Sequence, residues 1–309
     1  MSEPASADLV EVAIARVRVD EHTGLLESGL LQPLIYTDAL KDWPALGKWS
    51  LDYFGKEFGD HFGLIPASFL DGSWGKATCL RDYLSHLDDA VDKTPGFWVD
   101  DNGLPLAHAP AGAAQPWAFY WHAFSDYPQL YRDLGPYPPR LSSLVAGLPQ
   151  DVSAMLEWIT RRDFFSIYMS RKGTITPLHA DFHGTTGSLA QFEGTKHVTL
   201  FAPGHDDPAD IAAFDPDQPD YARFPQLSGR IVFRDQLQPG ELLIIPPGWW
   251  HHVRSEEHTL TLSHNFFTPL SLAPYLHGVF RDMCSKDMHS LKDKLTRFYQ
   301  TDQSCSARD

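Results

Sequence analysis

Between residues 164 and 268 the chain is a succession of short apolar runs broken by Gly, Pro and polar turns. "FFSIYMS", "SLAQFEG", "KHVTLFAP", "GRIVFRDQ", "ELLIIPP", "WHHVRS" and "TLTLSHNFF" follow one another at strand length. Strands repeated at this spacing predict a β-sandwich or barrel. The flanks read differently. "QPLIYTDAL" (32–40) predicts a buried strand leading into a helix, and Ser50 is placed to cap a helix over 51–58. "CLRDYLSHLDDAVD" (79–92), "DYPQLYRDL" and "SAMLEWITR" have apolar residues at helical spacing, while 96–118 is a Pro-, Gly- and Ala-rich loop. Residues 203–229 carry six aspartates between 206 and 220. They read either as an ordered insertion or lid, or as a solvated loop. Beyond 269 helical spacing returns with one apolar face, suited to the barrel or to a second subunit.

Charge and cysteines narrow the function classes. The formal net charge of −15 disfavours a nucleic-acid phosphate backbone as partner. Cys79, Cys284 and Cys305 are far apart and odd in number, which argues against a disulfide framework and for a reducing cytoplasm. The acidic N-terminus lacks the apolar run of a secretory signal, and no stretch of about 18 apolar residues predicts a membrane span.

"TPLHAD" (176–181) places His179 and Asp181 two positions apart. In a strand, such residues point to one face and can aim at one metal. Alone, the pair is weak. "ELLIIPPGWWHHVRS" adds the missing partner: a buried strand ends at Pro246-Pro247-Gly248, and a second begins at Trp249. There Trp249, His251 and Val253 share a face, and Trp250, His252 and Arg254 share the other. Arg254 prefers water, so His251 is the inward histidine, and His252 serves the fold or supports the site from behind. Two histidines and one carboxylate leave three octahedral positions open, the ligand set of non-haem Fe(II) oxygenases, whereas structural zinc closes its shell with a fourth protein ligand.

"SLAQFEGTKHVTLFAP" predicts a hairpin turning at Gly194-Thr195. In its second strand Lys196 shares the inward face with Val198 and Leu200. Either a bound anion, such as the distal carboxylate of 2-oxoglutarate, balances this ammonium, or Lys196 sits at the strand end and reaches solvent. Thr176 is placed to donate its hydroxyl to the same carboxylate, and Asn265 in "LSHNFF" to hydrogen-bond near the metal, although such strand residues usually serve the fold.

Taken in order, "TPLHAD", "LAQFEGTKHVTLFAP", "PGELLIIPPGWWHHV" and "LSHNFF" resemble the JmjC/cupin-like family of Fe(II)- and 2-oxoglutarate-dependent oxygenases, above all its hydroxylase branch. The likeness spans roughly 31–268. It implies a double-stranded β-helix (jelly-roll) core, mainly β with flanking helices. The division it implies is an N-terminal extension (1–30), an oxygenase domain (31–268) and a C-terminal helical segment (269–309) offering a homodimer surface. It carries metal binding and catalysis onto His179, Asp181 and His251, and 2-oxoglutarate binding onto Thr176, Lys196, Asn265 and Tyr120. Gly187 departs from relatives that carry asparagine there. The implied reaction uses Fe(II), O₂ and 2-oxoglutarate to hydroxylate a C–H bond on a protein or peptide side chain. Alternatives are a small-molecule hydroxylase and a catalytically silent cupin that binds a ligand. Lysine demethylation is less favoured, because Asp181 stands where many demethylases carry Glu.

Overall fold

The computed structural model describes residues 8–21, 32–66, 74–100, 104–109, 118–138, 165–181, 184–204, 207–266 and 277. Its strands, in chain order, are β1 (Val10–Ala13), β2 (Ala15–Val17), β3 (Leu34–Tyr36), β4 (Phe62–Pro66), β5 (Trp74–Cys79), β6 (Phe97–Asp100), β7 (Ala118–Trp121) and β8 (Phe165–Ser170). Then come β9 (Ile175–Ala180), β10 (Thr186–Glu193), β11 (Lys196–Phe201), β12 (Ile231–Leu237), β13 (Leu242–Ile245), β14 (Trp250–Ser255) and β15 (Thr259–Phe266). Short helices α1 (Pro44–Lys48), α2 (Leu51–Phe58), α3 (Leu80–Ser85) and α4 (Ala123–Asp126) lie among the earlier strands. No helix among the described residues is long and apolar enough to cross a membrane.

The strands from β8 onward alternate between two sheets, except that β11 and β12 are neighbours in one of them. One sheet runs β1-β12-β11-β14-β9 and the other β2-β3-β13-β10-β15-β8-β7. Every pairing among β8 to β15 is antiparallel. Four of these eight strands fall in each sheet, the jelly-roll arrangement expected. The seven apolar runs named from sequence all form strands. One expected connection is absent. β10 and β11 are not a hairpin, because β10 pairs with β13 and β15 while β11 pairs with β12 and β14. Gly194, at φ +67°, instead turns the chain from one sheet to the other. An added Cβ there would stand 2.0 Å from the His258 carbonyl oxygen, so both the turn and the close approach require glycine.

Three apolar layers result. Between the sheets lie Ile35, Val198, Leu200, Leu243, Ile245, Trp249 and Val253. β13 is buried along its whole length because it is covered on both faces. Outside the larger sheet, Met169, Leu260 and Leu262 meet Trp49, Phe54, Phe58 and Tyr83 from the helices. α2 forms as anticipated: the Ser50 hydroxyl accepts from the Tyr53 N–H at 3.0 Å, a cap that contributes about 1 kcal/mol. Its Leu51, Phe54 and Phe58 turn inward, each burial stabilising by about 1.5–3 kcal/mol. Outside the smaller sheet, Leu178, Phe201 and Val232 pack against Ile211, Phe214, Phe224 and Leu227. The aspartate-rich segment is therefore neither a merely solvated loop nor a cover over the barrel interior. Its apolar anchors hold it to the outer face of the five-stranded sheet.

Other details depart from expectation. The helix expected over 79–92 shortens to Leu80–Ser85, and the 126–134 stretch divides between α4 and a 3-10 turn over Pro128–Asp133. The loop expected over 96–118 opens with β6, which joins β4 and β5 in a third sheet. Residues 10–17, read as part of an extension, add an edge strand to each large sheet: β1 along β12, and β2 along β3. The helix expected over 153–161 and nearly all of the C-terminal segment lie outside the described residues.

Candidate metal centre

β9 and β14 are neighbours in the smaller sheet, and their register sets His179 directly opposite His251. Their rings lie 4.0 Å apart between centroids. Asp181 follows the end of β9, with its Oδ1 3.9 Å from His251 Nε2. One ligand atom from each of His179, Asp181 and His251 falls within 4.8 Å of the other two. His251 points inward as the strand parity required: Trp249 and Val253 on its face belong to the layer between the sheets, while Trp250 packs on the outer layer.

The donor set suits a divalent metal. His179 Nδ1 is 2.8 Å from the Pro177 carbonyl and His251 Nδ1 is 3.2 Å from the Trp249 carbonyl. These contacts are met by an Nδ1–H tautomer, which leaves each Nε2 lone pair for a metal. Burial, and then the neighbouring His251, pushes the His179 pKa down to about 3, and burial pushes that of His251 down to about 4. Both rings are neutral at pH 7, so protons compete weakly with a cation. Burial raises the Asp181 pKa, against which the His179 ring and the Asn265 side chain act. A partly buried carboxylate beside two neutral imidazoles calls for a cation.

Asp181 is seated by a missing side chain. A Cβ built on Gly187 would stand 2.4 Å from Asp181 Oδ2. A Cβ at this position would therefore require the Asp181 carboxylate to shift, and glycine leaves it where it is. Gly187 pairs directly with Asn265 across β10 and β15. The Asn265 amide donates to Thr185 Oγ1 at 3.0 Å, so the larger sheet contributes a polar wall facing the ligands of the smaller one.

Thr176 reaches the inward face by a bulge. Strict alternation sends residues three apart to opposite faces. The register, however, sets His251 against His179 and Val253 against Thr176, which gives β9 one extra residue. Pro177, lacking an N–H, sits within that irregularity, as suits it. Lys196 is inward on β11 with Val198 and Leu200, and retains 5% of its exposure, so it does not reach solvent. Its ammonium lies 5.8 Å from the centre of the Tyr168 ring. Among the described residues no carboxylate pairs with it, and burial pulls its pKa down to about 7. Tyr120 packs tilted against Tyr168, with ring centres 4.9 Å apart, and its hydroxyl is 2.8 Å from His122 Nε2 and 3.3 Å from Ser166 Oγ.

Residues 117–270 match the family model described as a cupin-like domain. The chain is 31% identical over 274 residues to "2-oxoglutarate and iron-dependent oxygenase JMJD4" of Gallus gallus, covering 78% of this chain and 56% of that protein. It is 26% identical over 259 residues to "Bifunctional peptidase and (3S)-lysyl hydroxylase JMJD7" of Homo sapiens, covering 73% and 74%. It is also 26% identical over 254 residues to "Jumonji C domain-containing protein 5" of Drosophila melanogaster, covering 78% and 55%. Residues 117–270 thus carry a cupin-like domain, and the chain is similar to JmjC-domain oxygenases. It spans about half the length of several of these relatives.

Three residues around this site were not singled out from sequence. Tyr168, under the Lys196 ammonium, stands in "FFSIYMS", where Ser166 and Tyr168 put polar atoms on alternate positions of an otherwise apolar strand. That alternation is the signal that marks an inward polar face. Thr185 and His122 carry no comparable signal, because each is placed by a tertiary contact rather than by strand period.

Proposed function

We propose that this chain is an Fe(II)- and 2-oxoglutarate-dependent oxygenase that hydroxylates a C–H bond on a protein or peptide side chain. The observation that carries the reading is the convergence of His179, Asp181 and His251 on one inward point, with each histidine Nδ1 held at a backbone carbonyl. The relatives named as iron-dependent oxygenase and lysyl hydroxylase support the same chemistry. Bound by these three side chains, Fe(II) supplies O₂ activation coupled to conversion of 2-oxoglutarate into succinate and CO₂.

The chain's own residues do the rest. His179 and His251 present neutral imidazoles held in one tautomer by backbone carbonyls. Asp181 supplies negative charge and is kept in place by the absence of a side chain at Gly187. Lys196, uncompensated in the barrel, pairs with the distal carboxylate of 2-oxoglutarate and regains its proton in doing so. Thr176, brought inward by the bulge, donates its hydroxyl to the same carboxylate. Tyr120 and Tyr168 wall that end of the pocket, and Asn265 faces the metal side. The net charge of −15 favours a cationic peptide over a phosphate backbone. The division at residues 30 and 268, a cytoplasmic setting and a dimer through the C-terminal helices belong to the same proposal.

Mass spectrometry of a peptide library incubated with enzyme, Fe(II), 2-oxoglutarate and O₂ tests the substrate class. A product heavier by one oxygen, absent without 2-oxoglutarate, is expected. Succinate formation with oxidation confined to small metabolites would move the reading to the small-molecule alternative. Neither turnover nor metal-dependent 2-oxoglutarate binding would leave a silent cupin.

A further inference from the structure

The five-stranded sheet carries a second polar cluster on its outer face. His197 and Thr199 of β11, His252 and Arg254 of β14, and Arg234 of β12 all point outward. Thr199 stands opposite both His252 and Arg234, and His197 opposite Arg254. The insertion crosses above them at Asp215-Pro216-Asp217. The Arg254 guanidinium pairs with Asp217, and Arg234 donates to the Pro216 carbonyl. The Asp215 carboxylate accepts the Asp217 N–H at 2.9 Å.

Two independent observations meet here. One nitrogen of His252 and one oxygen from each of Asp215 and Asp217 lie within 4.8 Å of one another, the same closeness found in the inward triad. His252 keeps only 2% of its exposure, yet its Nδ1 is buried without a hydrogen-bond partner. Thr199 Oγ1, His197 Nδ1 and Arg234 Nε around it are likewise buried and unpartnered. Buried polar atoms are normally paired, so four of them on one patch mark a place that something polar fills.

We propose that His252, Asp215 and Asp217 bind a second divalent cation, of the zinc type, on the opposite side of β14 from the first. One imidazole and two carboxylates suit such an ion, whereas calcium and magnesium favour oxygen alone. Arg254 balances only part of the carboxylate charge, since it also pairs with Glu256 at 2.8 Å. Ligand atoms at about 2.0–2.2 Å from a zinc ion stand at most about 4.4 Å apart, so rotation of the two half-buried aspartates closes the site. The ion would staple the insertion to the strand that carries His251. It touches no substrate and acts by positioning.

Metal counting on the full chain tests this. Protein stripped with chelator is loaded with Zn²⁺, desalted and analysed for bound metal. Wild type should retain two equivalents, Asp181→Asn one, Asp215→Asn one, and the double variant none. Zn²⁺ should also raise the Tm of Asp181→Asn, and adding Asp215→Asn should remove that rise. An Asp181→Asn protein that retains no zinc would assign the outer cluster to water and end the proposal, whatever the folding of the Asp215 variant. Two equivalents retained by Asp215→Asn would end it equally. If the inward triad is the set that holds no metal, Asp181→Asn keeps the wild-type count and only Asp215→Asn lowers it.

Discussion

His251 and His252 are adjacent in sequence and face opposite sides of one strand. The inward histidine has its Nδ1 tied to a backbone carbonyl and meets two partners supplied by the same sheet. The outward one has no such tie, and its carboxylate partners come from a separately packed insertion. The inner site is built into the strand ladder, while the outer one depends on how the 207–229 segment is anchored. The inner site should therefore tolerate loss of the outer one, and not the reverse order of importance for turnover.

The largest effect is expected from Asp181→Ala, which removes a carboxylate from the inner site. Succinate release should fall to the no-enzyme background, and retained activity would strike Asp181 from the ligand set. Gly187→Ala comes next. The added methyl meets Asp181 Oδ2, so metal affinity should drop roughly 10–100-fold. The fold should lose about 1–3 kcal/mol from overpacking, read from metal titration and denaturant unfolding. A variant binding metal as wild type does would mean that Asp181 is held by other contacts.

Lys196→Met follows. Loss of a charged hydrogen bond of about 1.5–3 kcal/mol should raise the KM for 2-oxoglutarate roughly 10–100-fold. The free protein should be no less stable, because an unpaired buried ammonium is gone. The same lysine sets a pH dependence. Burial brings its pKa from the ordinary 10.5 down to about 7 in the fold, so between these the unfolded chain holds the extra proton. The free protein thus gains stability as pH rises from 7 to 10.5. Binding of 2-oxoglutarate has the opposite sign: it requires the protonated amine, and its affinity should fall above pH 7 by up to about tenfold per unit. Calorimetry at pH 7 and 9 checks this, and a flat profile would mean that another group holds the carboxylate. The smallest effect belongs to the outer face. Asp215→Asn in iron-saturated enzyme should change the turnover rate by less than about twofold.

Much of this was legible in the chain because strand parity is a simple code. Arg254 alone separated His251 from His252, and the structure sets His251 opposite His179. The strand runs and the Ser50 cap were equally local signals. What was not legible depends on contacts between distant segments. Gly194 reads as a hairpin turn, yet whether a turn joins neighbours in one sheet or crosses to another is decided by the whole barrel. Thr176 has the wrong parity for the pocket until the bulge at Pro177 is known. The insertion's aspartates and prolines leave an ordered insertion and a solvated loop both open, because its four apolar anchors, which decide its place, are spaced without strand or helix period. Gly187 looked like a departure, and only the fold shows the Asp181 carboxylate beside it.

The most direct test is 2-oxoglutarate binding measured by calorimetry without O₂, with and without Fe(II), on wild type and Asp181→Ala. One equivalent should bind to wild type only when Fe(II) is present, and none tightly to the variant. Equal binding in all four conditions would contradict a metal held by residues 179, 181 and 251.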